Sequence, residues 1–423
     1  MEAQLKKTMK KLLAISWAMP PLLFPRSIQV ARTLKTLLFY GWQSTVVSVK
    51  PESLNKSKYI DNSLEGVYAN CAEIYHVPSQ EGNFLYRGVS GLFRILTQFP
   101  DKQSIWITPA YKKAEKLLNH NRFSVLISFA QPWSDHLIGL KLHQSKGIPW
   151  IAHFSDPWVD SPYLIAPHWQ RKILHRMEKS VINEANAIIF VNTLTLEQVM
   201  SKYPVELRKK AFVVPHGFDE EAFSFIKKVP EQKRSSCLTI LHVGNFYNHR
   251  NPIPLIDALS LLQKNGDYPP LRIIFIGHYE PWYKTYAKNK NLSANVSFLG
   301  TKSYLESTLH LMLADALLVI DAPGKLDNVF LPSKLIEYLA FNKPIFGITP
   351  NNSASAKLLQ SIDSFIAPPD DNKAIADCIL NMLNLWQRGE LKMPSTYNEI
   401  ISSYNIHNTT KLLLDIITYV TKT

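Results

Sequence analysis

The chain has 423 residues, of which 46% are hydrophobic and 19% charged, and its formal net charge is +13. This length exceeds what one hydrophobic core accommodates, so we expect two domains, and the composition excludes a disordered or fibrous protein. The basic excess indicates an anionic partner. No motif for binding DNA or RNA accompanies it, which leaves an anionic membrane surface or an ordinary solvated basic surface.

The cysteines and the first residues indicate the compartment. Three cysteines are scattered without paired spacing, which argues against disulfides and a zinc site and favours a reducing cytosol. Residues 12–19 are apolar, but Pro20 and Pro21 end the run and no small-residue cleavage site follows, so we do not expect a signal peptide. Because no run of about 18 apolar residues occurs, the expected location is the cytoplasm, with peripheral contact at the inner face of the membrane.

The first half of the chain alternates between predicted strands and helices. Residues 11–18 are a predicted strand, Ser27 is the expected N-cap of a helix over 28–39, and residues 44–49 form a second strand. This β-α-β order opens a doubly wound parallel sheet. The pattern predicts further strands at 104–108, 123–129, 150–154, 187–191 and 211–214, and helices at 89–98, 109–119, 137–144, 169–186 and 195–202.

Residues in the loops after these strands are candidates for binding a ligand, because ligands of such sheets lie beyond the carboxyl ends of the strands. In the loops 20–27 and 131–136 these residues are Pro21, Arg26, Ser27, Gln131, Ser134 and His136. His153 lies at the end of a further strand, and Asp156 follows it. Asp156 and the histidines also have structural alternatives. Asp156 fits the turn residue before Pro157, and the histidines fit packed core residues.

The second half repeats the alternation after a polar, basic connection at 220–236. It opens with a strand at 238–243 and then Gly244, which suits a sharp turn. The pattern predicts further strands at 271–276, 296–299, 316–320, 344–348 and 363–367, and helices at 252–264, 303–313, 370–386 and 409–419. The chain therefore consists of two α/β halves of similar size.

The segment 331–350 combines a helix start, an acidic helix position and a buried strand. Pro332 suits the first helical turn, and the Ser333 hydroxyl is expected to cap free backbone N–H groups. Lys334 follows, and a lysine at a helix N-terminus favours a phosphate. One turn later, Glu337 can accept hydrogen bonds from sugar hydroxyls. Together they predict a site for a nucleotide with phosphates and a ribose, although Lys334 and Glu337 also fit an exposed i,i+3 ion pair.

Six motifs, in order and at strand ends, resemble those of GT-B glycosyltransferases of the retaining family-4 kind, in particular the bacterial members that build surface polysaccharides. The motifs occupy residues 20–26, 100–106, 156–158, 215–219, 244–252 and 332–338. The resemblance covers nearly the whole chain. It implies the GT-B fold, in which two doubly wound Rossmann-like domains face each other across a cleft.

The resemblance also implies a role for each part of the chain. Residues 1–225 would bind the acceptor, residues 226–400 would bind the nucleotide-sugar, and residues 401–423 would form a helix that packs back on the first domain. Gly244 and Asn245 would let the backbone approach the donor. The implied donor contacts are Arg250 and Lys334 on the diphosphate, the helix start at Ser333, and Glu337 on the ribose.

The chain departs from the family pattern at two positions. Val329 stands where the first glutamate of the E-x7-E pattern is expected, and Asn251 stands where a lysine commonly follows the glycine. Arg250 is therefore expected to carry the phosphate contact of that loop alone. These departures bear on which sugar is held more than on the reaction.

Departure of a nucleoside diphosphate places growing negative charge on its β-phosphate, so basic groups there would stabilise the transition state. The resemblance implies that no metal is needed, which agrees with the absence of an Asp-x-Asp pair. It implies no cofactor besides the donor, a UDP-, GDP- or other nucleoside-diphosphate sugar. Asp156 and His153 are the candidate catalytic residues, placed to face the developing oxocarbenium centre from the first domain.

We therefore expect an enzyme of hexosyltransferase type. It would transfer a sugar, with retention, to a hydroxyl of a lipid-linked or saccharide acceptor in polysaccharide or glycolipid biosynthesis, without a nucleic-acid partner. Acceptor choice is expected to lie in the variable region 53–99 and the loops of the first domain. Two alternatives stay open: a nucleotide-sugar 2-epimerase of the same architecture, and a non-catalytic GT-B-like partner subunit, which Val329 and Asn251 favour.

Overall fold

The structure is a computed structural model that describes residues 9–54, 59–79, 99–222, 236–246, 249–264, 266, 270–324 and 329–422. The chain forms two compact units, residues 1–217 with 406–423 and residues 218–405. The predicted helix at 89–98 and most of the predicted connection at 220–236 lie outside the described residues.

The first unit is built on a seven-stranded parallel sheet with the strand order β3-β2-β1-β4-β5-β6-β7. Its strands are β1 (Lys10–Ile15), β2 (Trp42–Val49), β3 (Glu73–Val77), β4 (Val125–Ala130), β5 (Trp150–Phe154), β6 (Ala187–Phe190) and β7 (Ala211–Val213). Every residue of β4, β5 and β6 is buried, as expected for parallel strands that are covered by helices on both faces. The predicted doubly wound sheet is confirmed.

Helices connect these strands. They are α1 (Pro25–Phe39), α2 (Ser63–Val67), α3 (Ile107–His120), α4 (Ser134–Lys146), α5 (His168–Glu184), α6 (Thr193–Met200) and α7 (Val205–Arg208). The predicted strand at 104–108 is wrong. Residues Ser104–Trp106 form a 3₁₀ turn that continues into α3, and the buried Trp106 indole donates a hydrogen bond to the Val77 carbonyl at 3.3 Å. An anchored tryptophan explains the apolar run that suggested a strand.

The start of α1 also differs from the prediction. Pro25 occupies the first helical position and Phe24 the N-cap, so Ser27 lies inside the first turn rather than at the cap. The fixed φ angle of proline suits the first helical position, and it starts the helix upstream of the serine.

The second unit contains a six-stranded parallel sheet with the order β10-β9-β8-β11-β12-β13. The strands are β8 (Leu238–Val243), β9 (Leu271–Ile276), β10 (Val296–Phe298), β11 (Ala316–Ile320), β12 (Ile345–Ile348) and β13 (Phe365–Ala367). The helices are α8 (Ile253–Lys264), α9 (Trp282–Asn289), α10 (Tyr304–Leu313), α11 (Ser333–Tyr338), α12 (Ala354–Ser361), α13 (Asn372–Arg388) and α14 (Tyr397–Ile401).

The last helix, α15 (Ile406–Lys422), returns to the first unit, as predicted. It packs against α1, and its buried residues include Leu413 and Ile417. Tyr40, which follows α1, contacts His407 with 3.4 Å between the phenol oxygen and Nδ1. No helix among the described residues has the length and apolarity to cross a membrane.

The strand order of each sheet reverses once. The chain passes from β1 to one side and resumes at β4 on the other, and in the second unit it does the same between β8 and β11. Such reversals separate the connecting loops and open a crevice at the carboxyl ends of the two strands, which is where doubly wound sheets bind ligands. Residues that follow β8 and β11 are therefore the first to consider.

Candidate active site

Two glycines lie at the carboxyl edge of the second sheet, one after β8 and one after β9. Gly244 and Gly277 have φ angles of +148° and +133°, which other residues rarely adopt. A Cβ at Gly277 would lie 2.3 Å from the Gly244 carbonyl oxygen, and a Cβ at Gly244 would lie 2.3 Å from Lys334 Nζ. The backbone is therefore bare at this edge, which means that it carries no side chain at Gly244 and Gly277. The Lys334 ammonium lies against it at Gly244.

Lys334 is held in place by a histidine that the sequence did not single out. The Lys334 ammonium donates to His242 Nε2 at 3.2 Å. His242 in turn donates from Nδ1 to the Leu318 carbonyl at 2.9 Å, which fixes the tautomer and leaves Nε2 as an acceptor. The His242 ring stacks on Phe246 with 5.0 Å between centroids.

The positive charge at this site comes from side chains. Pro332 is the N-cap of α11 and makes no side-chain cap, and Ser333 is the first helical residue, so the predicted serine cap is wrong. The helix has only six residues, so few peptide dipoles align and the field at its N-terminus is weak. Lys334, together with Arg250, therefore supplies the positive charge that the sequence predicts in part for the helix end.

Arg250 and Asp321 lie beside Lys334. Arg250 is 8% exposed, and its Nη2 is 3.8 Å from Oδ1 of Asp321, the residue after β11. Asp321 Oδ2 accepts a hydrogen bond from the Thr349 hydroxyl, which follows β12, at 2.9 Å. Burial, together with the positive charge of Arg250 and opposed by Asp321, lowers the pKa of Lys334 to about 7. Two cations share one carboxylate, so an added anion would be stabilised here.

Glu337 lies one helical turn after Lys334 and contacts Tyr304, the first residue of α10. The Tyr304 phenol donates to Glu337 Oε1 at 2.6 Å. Residues three apart on a helix lie on the same face, so Glu337 and Lys334 project from the same side of α11. The ion-pair alternative for Lys334 and Glu337 is not what the structure shows, because their described partners are His242 and Tyr304 respectively.

Three further positions of the predicted donor site have structural roles. Asn245 Oδ1 accepts from the His278 backbone N–H at 2.7 Å and so joins the loops after β8 and β9. Asn251 Oδ1 accepts from the Ile253 N–H at 3.0 Å at the start of α8, a capping contact that a lysine could not make. Val329 is buried and offers a sugar no polar group.

In the first unit, a buried arginine and histidine form a second cluster. Arg26 Nη2 donates to His153 Nδ1 and to the His153 carbonyl, each at 3.0 Å. Because a guanidinium only donates, His153 Nδ1 is the acceptor and the ring proton of the neutral histidine is on Nε2. Burial lowers the pKa of His153 well below its usual value, and Arg26 and the stacked His216 add to this shift. His153 is therefore a neutral donor rather than a base.

Asp156 and Gln131 lie in neighbouring loops after β5 and β4. Asp156 Oδ2 accepts from Gln131 Nε2 at 3.2 Å and from the Ser155 hydroxyl at 3.4 Å. Arg26 is close enough for Asp156 to raise its pKa, although burial has the larger effect and lowers that pKa to about 10. The structure thus assembles Arg26, His153, Asp156 and Gln131 at one edge of the sheet.

Other residues predicted for the acceptor side lie inside the unit. Ser134 is fully buried, and its hydroxyl donates to Asp101 at 2.6 Å at the start of α4. His136 is fully buried as well, with Nδ1 2.8 Å from the Ser128 hydroxyl. Ser27 and Pro21 are also buried. These loops reach the carboxyl edge of the sheet, as expected. Their side chains, however, stabilise this edge through internal contacts and do not line a ligand site there.

Among the described residues, no group of three or more His, Cys, Asp or Glu side chains is arranged to hold a metal ion.

Two family models match the chain, one in each half. Residues 72–222 match the model described as Glycosyltransferase Family 4, and residues 224–399 match the model described as Glycosyl transferases group 1. With its two doubly wound parallel sheets and the returning terminal helix, the chain is a GT-B glycosyltransferase. No curated protein sequence matches it significantly.

Solved structures share the fold over nearly their full length. Sucrose-phosphate synthase from Thermosynechococcus elongatus has a TM-score of 0.68 and 16% identity, with 97% of this chain and 98% of that chain covered. Anabaena Alr3699/HepE, in complex with UDP and glucose, has a TM-score of 0.67 and 12% identity, with 97% and 100% covered. The lipopolysaccharide outer core galactosyltransferase WaaB has a TM-score of 0.61 and 13% identity, with 97% and 99% covered.

Proposed function

We propose that the chain transfers a sugar from a nucleoside-diphosphate sugar to a hydroxyl of a lipid-linked or saccharide acceptor. One observation carries the donor assignment: at the β8–β11 switch point Lys334 lies against the Gly244 backbone, Arg250 is close enough to act on its charge, and Glu337 follows one helical turn later. A helical turn advances about 5.4 Å, which suits a ligand that carries a ribose next to its diphosphate.

In this proposal the second unit stabilises the leaving group. As the glycosidic bond breaks, negative charge grows on the diphosphate, and Lys334 and Arg250 stabilise that charge more in the transition state than in the ground state. The glycine backbone lets the phosphates approach these cations closely. Two fixed cations can serve without a metal ion, so we propose a metal-independent reaction.

The first unit supplies the acceptor side. Asp156 provides a carboxylate for the developing positive charge on the sugar or for the proton of the acceptor hydroxyl. Gln131 and Ser155 hold this carboxylate at the carboxyl edge of the sheet. Neutral His153 contributes a fixed dipole rather than a proton acceptor. Retention of anomeric configuration belongs to the proposal on the family resemblance alone, and NMR of the product linkage tests it.

The setting of the reaction is proposed from the family resemblance and the net charge. The resemblance to bacterial enzymes that build surface polysaccharides and the net charge of +13 support a role in cell-surface polysaccharide or glycolipid biosynthesis at the cytoplasmic face of an anionic membrane. WaaB, a fold relative, acts in the lipopolysaccharide outer core. Sedimentation of the purified chain with anionic but not neutral lipid vesicles is the expected result.

A panel of nucleoside-diphosphate sugars tests the reaction itself. In the absence of acceptor, we expect slow release of the nucleoside diphosphate from one donor, and this release should be lost in Lys334→Ala and Glu337→Ala. If the free sugar nucleotide changes its stereochemistry without acceptor, the chain is an epimerase. If neither variant alters the affinity for nucleoside diphosphates, the donor site is misassigned, and a chain that binds no nucleotide at all is a partner subunit.

Donor binding is expected to depend on pH through Lys334. Its pKa is about 7, and a bound diphosphate raises that pKa by adding negative charge. Binding is therefore strongest below pH 7 and weakens as the pH rises above it, by at most about tenfold per unit. Calorimetry with UDP and GDP between pH 7 and pH 9, in buffers of different ionisation enthalpy, should show proton uptake on binding.

The matched control is Lys334→Arg. A guanidinium stays charged across this range, so the variant should bind with little dependence on pH and without proton uptake. Burial and Lys334 keep the pKa of His242 well below its usual value, so His242 stays neutral throughout. An equally steep pH profile in the arginine variant would show that Lys334 is not the group that titrates.

A further inference from the structure

We infer that Tyr304 is a positioning residue that makes the donor site selective for ribose over deoxyribose. The inference rests on the proposed function, in which Glu337 binds the ribose hydroxyls, and deepens it by naming what holds that carboxylate. The phenol of Tyr304 donates to Glu337 Oε1 at 2.6 Å, across 33 positions of the chain.

Tyr304 is itself fixed by the local structure. It is the first residue of α10, whose N-cap is Ser303, and Ser303 and Glu306 form a reciprocal capping box. The Ser303 hydroxyl accepts from the Glu306 N–H at 3.2 Å, and the Glu306 carboxylate accepts from the Ser303 N–H at 3.0 Å. The tyrosine is 7% exposed, so its ring is packed as well as anchored at its backbone. Its hydroxyl is therefore presented at a set position.

This contact links two segments that lie on either side of Gly244 and Gly277. Tyr304 follows β10, an edge strand, whereas Glu337 belongs to the helix after β11. Strands β9 and β8 lie between them, and these are the strands that end at Gly277 and Gly244. A hydrogen bond that spans this edge fixes the position of Glu337 relative to the bare backbone where the diphosphate would lie.

The chemistry of the carboxylate explains the selectivity. A carboxylate accepts about four hydrogen bonds, and the phenol uses one position on Oε1. Two neighbouring ribose hydroxyls need a carboxylate in one fixed orientation, and the charge-assisted bond from Tyr304 sets that orientation. A 2′-deoxyribose offers only one of the two donors, so it gains less from a carboxylate that is held in place.

The test compares ribonucleotides with deoxyribonucleotides. Calorimetry would give the Kd of UDP and GDP and of their 2′-deoxy forms for the parent chain, Tyr304→Phe and Glu337→Gln. The phenylalanine variant should lower the deoxy-to-ribo ratio of Kd by about fivefold to tenfold, the effect of one ordinary hydrogen bond, with little change in deoxy binding.

The matched control is Tyr286→Phe. It removes a tyrosine–carboxylate hydrogen bond of the same kind, from Tyr286 to Asp257 at 2.7 Å between α9 and α8. It should leave the ratio unchanged, and thermal unfolding would show whether the two variants fold equally well.

The possible results distinguish a failure of the role inferred for Tyr304 from a failure of the proposed donor site. If Glu337→Gln lowers the ratio and Tyr304→Phe does not, the role of Tyr304 is wrong and the donor site stands. If neither variant changes the ratio although the nucleotides bind, Glu337 does not contact the ribose, and the donor site itself is misassigned.

Discussion

Replacing Lys334 with alanine is expected to lower kcat/KM for the sugar donor by about 100- to 1,000-fold, the range found when one preorganised donor to a developing anion is removed. The side chain is partly buried and its ammonium is held by His242 at 3.2 Å, so its position is set before the donor binds. Water that enters the variant cannot replace the fixed positive charge of the lysine at that position. Most of the loss should appear in kcat, because charge on the leaving group grows as the bond breaks.

Arg250 cannot compensate for this loss. Its guanidinium already lies 3.8 Å from the Asp321 carboxylate, which shares its charge. Removing Lys334 leaves that carboxylate close to the phosphates with one cation fewer to offset it. Arg250→Ala should therefore be nearly as inactive as Lys334→Ala, and the double variant should lose less than the product of the two single effects.

The control for charge and fold is Lys357→Ala. Lys357 is an exposed lysine on α12 of the same unit, and its loss should leave donor kinetics unchanged. Initial rates over a range of donor concentrations separate kcat from KM. A Lys334→Ala variant with parental kcat and only a higher KM would show that the lysine binds the donor without stabilising the leaving group.

The parts of the fold that could be predicted are those that a local pattern determines. Buried parallel strands read as short apolar runs between breakers, and the predicted 238–243 and 271–276 coincide with β8 and β9. Gly244 after β8 could be predicted too, because a sharp turn at a switch point, where the backbone carries no side chain, favours glycine. Helix starts were harder, since proline suits both the N-cap and the first helical position, and it takes the first position at Pro25 and the cap at Pro332.

The contacts that complete the site could not be predicted from the sequence. His242 and Lys334 are 92 positions apart, and His242 sits in β8 like any inward residue of a buried strand. Tyr304 and Glu337 meet across 33 positions. The sequence does carry the capping box of α10, which predicts where Tyr304 starts its helix but not what its hydroxyl touches. Such pairings depend on the strand order.

The acceptor side shows a related limit. Sequence placed the loops 20–27 and 131–136 at the carboxyl edge correctly, but loop position does not say which side chains face inward. The Ser134 hydroxyl donates to Asp101 and His136 forms a hydrogen bond with Ser128, whereas Gln131 donates to Asp156. Burying polar side chains requires internal partners, and the position of a loop does not show which residues these partners are.

Gly244→Ala is expected to reproduce most of the Lys334→Ala defect without removing a charge. A Cβ at this position would lie 2.3 Å from Lys334 Nζ and 2.9 Å from its Cε, well inside contact distance. The lysine is the flexible partner, so it moves away from His242 and from the position where the diphosphate would bind. The φ angle of +148° adds strain that an alanine does not tolerate readily.

Combining the two substitutions distinguishes this steric route from general destabilisation. If the alanine at 244 acts by displacing Lys334, the double variant Gly244→Ala, Lys334→Ala should be no worse than Lys334→Ala alone, because the displaced group is already gone. If the alanine acts by distorting the backbone that approaches the phosphates, the two losses should multiply. Gly41→Ala is the control for backbone strain, since its φ is +82° and a Cβ there meets no atom within 4 Å. It should lower the melting temperature modestly and leave donor affinity unchanged, so a similar loss of affinity in both glycine variants would point to strain alone.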